Sequence, residues 1–136
     1  MSAYKSISCS FKDEKTLLEC LKNIGYNPVV YKEKHNLRGY IDDIRGESAE
    51  IIVPKSEISL ASNDLGFSYD EEKAEYAMLC SDYDIHRGVA DKVKQSYALV
   101  AIKAALKKNK FSISLETTAK NKTITINAGK IIWARK

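Results

Sequence analysis

Acidic side chains are scarce in the second part of this sequence. From His86 to Lys136 only Asp91 and Glu116 are acidic, against twelve basic residues, a balance of 12 − 2 = +10. From Met1 to Ile85 the balance is 10 − 16 = −6, and the two sum to the +4 of the whole chain. That asymmetry makes an acidic partner worth considering for the second part. Metal ligands are scarce as well. Two histidines and three cysteines (Cys9, Cys20 and Cys80) with no CxxC spacing give neither a zinc knuckle nor a disulfide framework, so no metal and no cofactor is expected. The cysteines read as small buried hydrophobes. No apolar run approaches the roughly 20 residues that span a bilayer, and "MSAYKSISCSF" lacks the apolar stretch of a secretory signal. A soluble, cytoplasmic protein without membrane contact is expected. The glycine-containing stretches "RGES" and "NAGK" do not match the phosphate-wrapping GxxxxGK[ST] pattern, so nothing reads as a nucleotide site.

What is present describes one domain over residues 1–136, with 44% apolar and 29% charged residues, enough to bury a core. In "KSISCSF", Ile7, Cys9 and Phe11 alternate with serines, the period of a half-buried strand. Ser10 and Asp13 have capping-box spacing, Leu17, Leu18, Leu21 and Ile24 share one helical face, and Gly25 supplies a left-handed stop. "NPVVYKE" and "AEIIVP" read as strands separated by a polar excursion over residues 34–48, and residues 54–64 form another excursion. "LGFSY" and "AEYAMLCS" read as a hairpin around "DEEK", and a long helix follows from about Ile85 to Asn109. "FSISLE", "KTITIN" and a terminal "KIIWARK" read as later strands. The expected fold is α+β: two βαββ-like units, a degenerate repeat over 4–53 and 75–127, forming a largely antiparallel sheet with two main helices packed on it. Gly25, Gly39 and Gly66 read as backbone devices that aim Tyr26, Tyr40 and Phe67 into the sheet–helix layer.

Three functional readings stay open. At 100° per residue, Lys92, Ser96, Lys103 and Lys107 form a polar strip on the long helix, flanked by Val93, Tyr97, Val100 and Ala104 on one side and by Leu99, Ile102 and Leu106 on the other. Either neighbouring elements cover the second apolar stripe or, with Lys103 and Lys107 beside it, it docks a partner or a second copy of the chain. Lys103, Lys107, Lys108, Lys110, Lys120 and Lys122, with Tyr97 and Trp133 as stacking groups, would serve a sequence-tolerant nucleic-acid-binding module. The lysines near the helix end also have an ordinary role against the helix dipole. "SDYDIHRG" brings Asp82, Asp84 and His86 close in sequence, and an enzyme would use Asp84 and His86 as acid and base, with Arg38, Tyr40 or Asp64 alongside. Against that stands an Asp that does no more than cap a helix. His35 falls in a polar stretch without a second ligand at useful spacing.

The stretches "MSAYKSI", "LLECLKNIGY", "LRGY", "DLGF", "YAMLCSDY" and "QSYALVAIKAALKKNKFSI" occur in that order over most of the chain. Together they resemble the hypothetical chloroplast open reading frame thirty-five family, domain of unknown function 1257, of plastids, cyanobacteria, other bacteria and some phages. Tyr83 stands where relatives tend to carry tryptophan and Lys110 where they carry glycine, and "AGKIIWARK" runs past the family's usual end. The resemblance implies no activity. Family genes tend to neighbour those of AAA-type ATPases, which implies a non-enzymatic adaptor or accessory subunit acting with such a complex. The compartment would be bacterial cytoplasm, a phage-infected cell or plastid stroma.

Overall fold

In the computed structural model, which describes residues 3–108, the chain crosses its own sheet before building the middle of it. Strand β1 (Tyr4–Phe11) and strand β2 (Val29–Arg38) are joined by helix α1 (Glu14–Ile24), yet among the described residues they lie at opposite ends of five sheet strands in the order β1-β5-β4-β3-β2. Strands β3 (Ile44–Val53), β4 (Leu65–Asp70) and β5 (Glu75–Ser81) then step back across, every neighbouring pair antiparallel, until β5 pairs with β1. A short helix α2 (Asp82–His86) and a long helix α3 (Val89–Lys108) follow. This is the expected α+β layering of two main helices on an antiparallel sheet. The first βαββ unit is complete. The later strands "FSISLE", "KTITIN" and "KIIWARK", which would finish the second, lie outside the described residues.

Register decides which residues meet the helices. Ile7, Met78, Phe67 and Ile51 form one cross-strand row, and with Phe11, Val53 and Leu65 they pack against Leu17, Cys20 and Leu21 of α1 and Val89, Val93 and Val100 of α3. The pairing of β1 slips between Ser8, opposite Ala77, and Phe11, opposite Tyr76, so Cys9 and Ser10 are extra residues and Ser10 takes a φ of 56°. This bulge breaks the expected regular alternation of Ile7, Cys9 and Phe11 and seats Phe11 opposite Tyr76, where its ring meets Phe67 and Tyr97 edge-on at 5.8 and 4.9 Å. It also moves the helix start. The cap is Asp13, whose Oδ2 accepts the Thr16 N–H at 3.0 Å, so the expected Ser10 capping box does not form. Gly25 ends α1 at φ 107°, and the Tyr26 N–H reaches back to the Leu21 carbonyl at 3.0 Å. Tyr26 is buried in the core as expected.

Two other expectations change. Residues 34–48 are no loose excursion: β2 runs on to Arg38, turns at Gly39–Asp43 and returns as β3. Its register slips twice, between Val30 and His35 and between Asn36 and Arg38, which bends the hairpin. Instead of one helix from Ile85, Gly88 at φ 83° divides α2 from α3.

The bent hairpin covers the sheet face opposite the helices. Ile52, Gly66, Leu79 and Ser6 make the cross-strand row on that face, and there Leu37 and Ala49 are fully buried with Ile52, packed by Tyr4, Tyr31 and Leu79. Gly66 is the dent that admits Leu37, since a Cβ there would stand 2.8 Å from Leu37 Cδ2 and 3.0 Å from the Ala49 Cβ. Gly66→Ala should therefore lower stability by about 1–3 kcal/mol in denaturant unfolding. Combined with Leu37→Ala it should cost less than the two single losses added, because the colliding methyl groups are gone. Additive costs would show that Leu37 does not depend on the dent. Gly25→Ala, which meets no neighbour but must hold φ 107°, should cost about 1 kcal/mol.

Candidate functional site

Asp84, Asp82 and His86 start α2 but do not converge. Ser81 is the helix cap: its Oγ accepts the Asp84 N–H at 3.3 Å and its hydroxyl donates to Asp84 Oδ2 at 3.0 Å. Asp84 Oδ1 accepts the Ser62 hydroxyl at 2.6 Å and Oδ2 the Asn63 N–H at 3.3 Å, and the residue is 1% exposed. A carboxylate so enclosed, with donors on both oxygens, offers nothing to a substrate. His86 is exposed, and Asp82 sits 3.7 Å from Lys5 Nζ. An acid–base pair of Asp84 and His86 gains no support from this geometry.

What Asp84 does is anchor a loop. The next residues of that loop carry the hydrogen bonding to the hairpin: Asn63 Oδ1 accepts the Tyr40 N–H at 2.6 Å, Asp64 Oδ2 accepts the Arg38 N–H at 2.9 Å, and Asp64 Oδ1 accepts the Lys55 N–H at 2.8 Å. The Asp64 N–H donates to the Arg38 carbonyl at 2.9 Å, and the Tyr4 hydroxyl donates to the Asp64 carbonyl at 2.5 Å. Burial, then the nearby Asp64 charge, pushes the Tyr4 phenol far above its usual value. So Arg38, Tyr40 and Asp64 do meet, through backbone groups and away from any pairing with His86. Tyr40 departs from expectation, since its side chain is 54% exposed instead of packed into the sheet–helix layer.

Held this way, the hairpin, the end of β3 and the 3₁₀ turn at Lys55–Glu57 enclose a cleft of about 590 Å³. Val29, Ile44, Ile52 and Pro54 supply apolar lining, and His35 lies there stacked on Tyr31 with ring centres 3.7 Å apart. Lys55 Nζ reaches Asp42 Oδ1 at 2.8 Å, and Arg38 Nη1 lies 3.7 Å from Asp42 Oδ2 and donates to the Asp42 carbonyl at 3.2 Å. The Lys55 hydrogen bond holds the Asp42 carboxyl below its usual range. Ile44 in the cleft lining, Ile41 on the hairpin turn and Leu60 on the loop after the 3₁₀ turn are 68, 64 and 101% exposed. Sequence reasoning missed this site. Its one signal was the pair of isoleucines bracketing the polar "DD" of "YIDDIRG".

The long helix places its lysines differently from a bare ladder. The Ser96 hydroxyl donates to the Cys20 carbonyl of α1 at 3.0 Å, and Lys103 and Lys107 line a groove of about 480 Å³ with Asp13, Lys15 and Glu19 of the α1 end. The strip thus runs beside acids of the same chain. Tyr97 accepts the Asp13 N–H at 3.1 Å and packs on Phe11, which fixes it in the core interface. On the second stripe Leu106 is buried and Leu99 and Ile102 are half-buried. Lys108 is exposed, while Lys110, Lys120, Lys122 and Trp133 lie outside the described residues. Among the described residues no three His, Cys, Asp or Glu side chains gather to hold a metal, and no helix is long and apolar enough to cross a membrane.

A family model described as "Protein of unknown function (DUF1257)" matches residues 20–127. That bears out the family resemblance seen in the sequence; the plastid reading-frame name is no part of the description. No curated protein and no solved structure matches the chain.

Asp84→Ala, which strands the Ser62 and Asn63 donors, should cost about 2–4 kcal/mol of stability in denaturant unfolding. A loss below about 0.5 kcal/mol would show that the loop does not depend on it. Burial also pushes the Cys20 and Cys80 thiols up to about 12, and the Tyr26 and Tyr76 phenols rise from the same cause. Groups raised in the folded state support it fully below their unfolded values and lose that support as pH climbs through the folded ones. The denaturation midpoint should therefore hold up to about pH 8 and fall between about pH 9 and 12.

Proposed function

This chain belongs to the DUF1257 family, and we propose that it serves as a non-enzymatic adaptor or accessory subunit whose contact surface is the β2–β3 hairpin tip with the adjoining loop. One observation carries the reading: Tyr40, Ile41, Ile44 and Leu60 leave large apolar surfaces in solvent on a segment whose backbone is fixed by Asn63 and Asp64. Exposed apolar groups on a rigid support suit a docking surface, because little ordering entropy is lost on binding. The second stripe of α3 is the poorer candidate, its Leu106 being already covered. The partner class is an AAA-type ATPase, on the strength of the gene neighbourhood that the family resemblance implies.

Copurification with an AAA-type ATPase from the same source tests this. Burial of each isoleucine contributes about 1.5–3 kcal/mol before association costs, so Ile41→Asp should reduce recovery by at least about tenfold while leaving the melting temperature unchanged. Leu99→Asp/Ile102→Asp, if folded, should leave recovery intact. The reverse pattern would move the contact to α3 and overturn the hairpin assignment.

A second reading, a sequence-tolerant nucleic-acid module, draws support from the exposed Lys107 and Lys108 at the end of α3 and from the +10 balance after Ile85. Binding of this kind must weaken steeply with salt, by roughly one unit of log–log slope per phosphate contact. Fluorescence anisotropy with single-stranded and duplex DNA decides it. No binding at low salt removes the reading.

A further inference from the structure

The cleft beneath the hairpin combines two features that a protein core avoids placing together in the open: apolar walls and cations. Val29 and Ile44 are among the most exposed large apolar side chains of the chain, and they face a space also lined by Lys55 and Arg38. Both cations pair with a single carboxylate, Asp42, whose side chain is 68% exposed. The other acid of the cleft, Asp64, is 9% exposed and already accepts a backbone N–H on each oxygen, so it is part of the wall. Two positive charges thus share one exchangeable negative charge beside a greasy surface.

We propose that this cleft binds an acidic side chain flanked by apolar residues on a partner protein, with Asp42 holding Lys55 and Arg38 until the partner's carboxylate displaces it. The inference rests on the adaptor reading above and gives it a partner chemistry. An exposed ion pair exchanges at small cost, because water and salt screen both states nearly equally. The guanidinium of Arg38 suits a carboxylate's two oxygens, and Lys55 adds a compact charge from the other side of Asp42. Val29, Ile44, Ile52 and Pro54 then bury the neighbouring apolar side chains, and this separates the occupant from a free phosphate, which has no use for them. Asp42 sits on the hairpin turn with φ 66°, a conformation that Asp and Asn tolerate better than other side-chain-bearing residues, so the latch can be altered without disturbing the turn.

Amide chemical-shift titration of the isotope-labelled full chain with a synthetic peptide of alternating leucine and glutamate is the test, with leucine–glutamine and leucine–lysine peptides, isocaproate and inorganic phosphate as separate arms. The leucine–glutamate peptide should shift Ile44, Ile52 and Lys55 saturably. The glutamine analogue and the Lys55→Gln variant should each bind about two- to fivefold more weakly, and Asp42→Asn should bind tighter by a similar factor. Equal affinity for the glutamine analogue, weaker binding after Asp42→Asn, or shifts centred on Lys103 and Lys107 would overturn the proposal. So would phosphate or isocaproate binding as tightly as the peptide. Peptide binding in the cleft together with unchanged ATPase recovery after Ile41→Asp refutes the adaptor contact alone; lost recovery with no peptide binding refutes the cleft alone.

Discussion

Two buried carboxylates, Asp64 and Asp84, are the constraint on which the arrangement of this molecule depends. Burying an acid is costly unless its oxygens find donors, and each of these acids collects donors from segments distant in sequence. Asp84 draws Ser62 and Asn63 onto the start of α2, and Asp64 draws Arg38 and Lys55 onto the same loop. A three-residue stretch, Ser62 to Asp64, thereby ties the helical end of the molecule to the hairpin on the far side of the sheet. The same donors that solve the desolvation problem fix the position of the hairpin.

The two sheet faces consequently have different kinds of order. The face toward α1 and α3 is an ordinary apolar layer, in which Phe11, Phe67, Leu17 and Met78 are fully buried. Among the described residues the opposite face holds a small apolar cluster around Leu37, Ala49 and Ile52, and the hairpin is kept in place by N–H groups that donate to Asn63 and Asp64, with the Tyr4 hydroxyl donating to the Asp64 carbonyl. Less apolar burial on that side leaves Ile41 and Ile44 uncovered and opens the cleft between the hairpin and its own base. The exposed isoleucines and the cleft are thus by-products of how the hairpin is held.

Much of the helical face was legible in the sequence, because periodicity reports local structure directly. Leu17 and Leu21 at helical spacing, Gly25 at the stop and the "DEEK" turn between β4 and β5 all emerge where the pattern puts them. The hairpin was hidden for a physical reason: most of β2 is exposed, so "YKEKHNLR" carries no alternation, and its bends come from register slips that only the partner strand defines. Asp84 was visible as a helix-start acid, but its bond to Ser62 spans 22 positions and no local pattern announces it. Gly88 stands in the sequence as a break signal, but the apolar periodicity after it masks the break it makes. The polar strip of α3 shares one face as its spacing predicts, but that face runs along α1 beside Asp13 and Glu19 instead of facing open solvent, which one helical wheel cannot show.

Native-state hydrogen exchange on Asp64→Ala tests the dependence of the hairpin on the buried carboxylates most directly, because Asp64 is the one of the two that accepts the hairpin's own N–H. The account predicts that the Arg38 and Tyr40 amides lose protection while those of α1 and the β4–β5 pair keep theirs, the hairpin opening as a unit on an intact helical layer. Protection retained at Arg38 and Tyr40, or lost evenly throughout the chain, would contradict it.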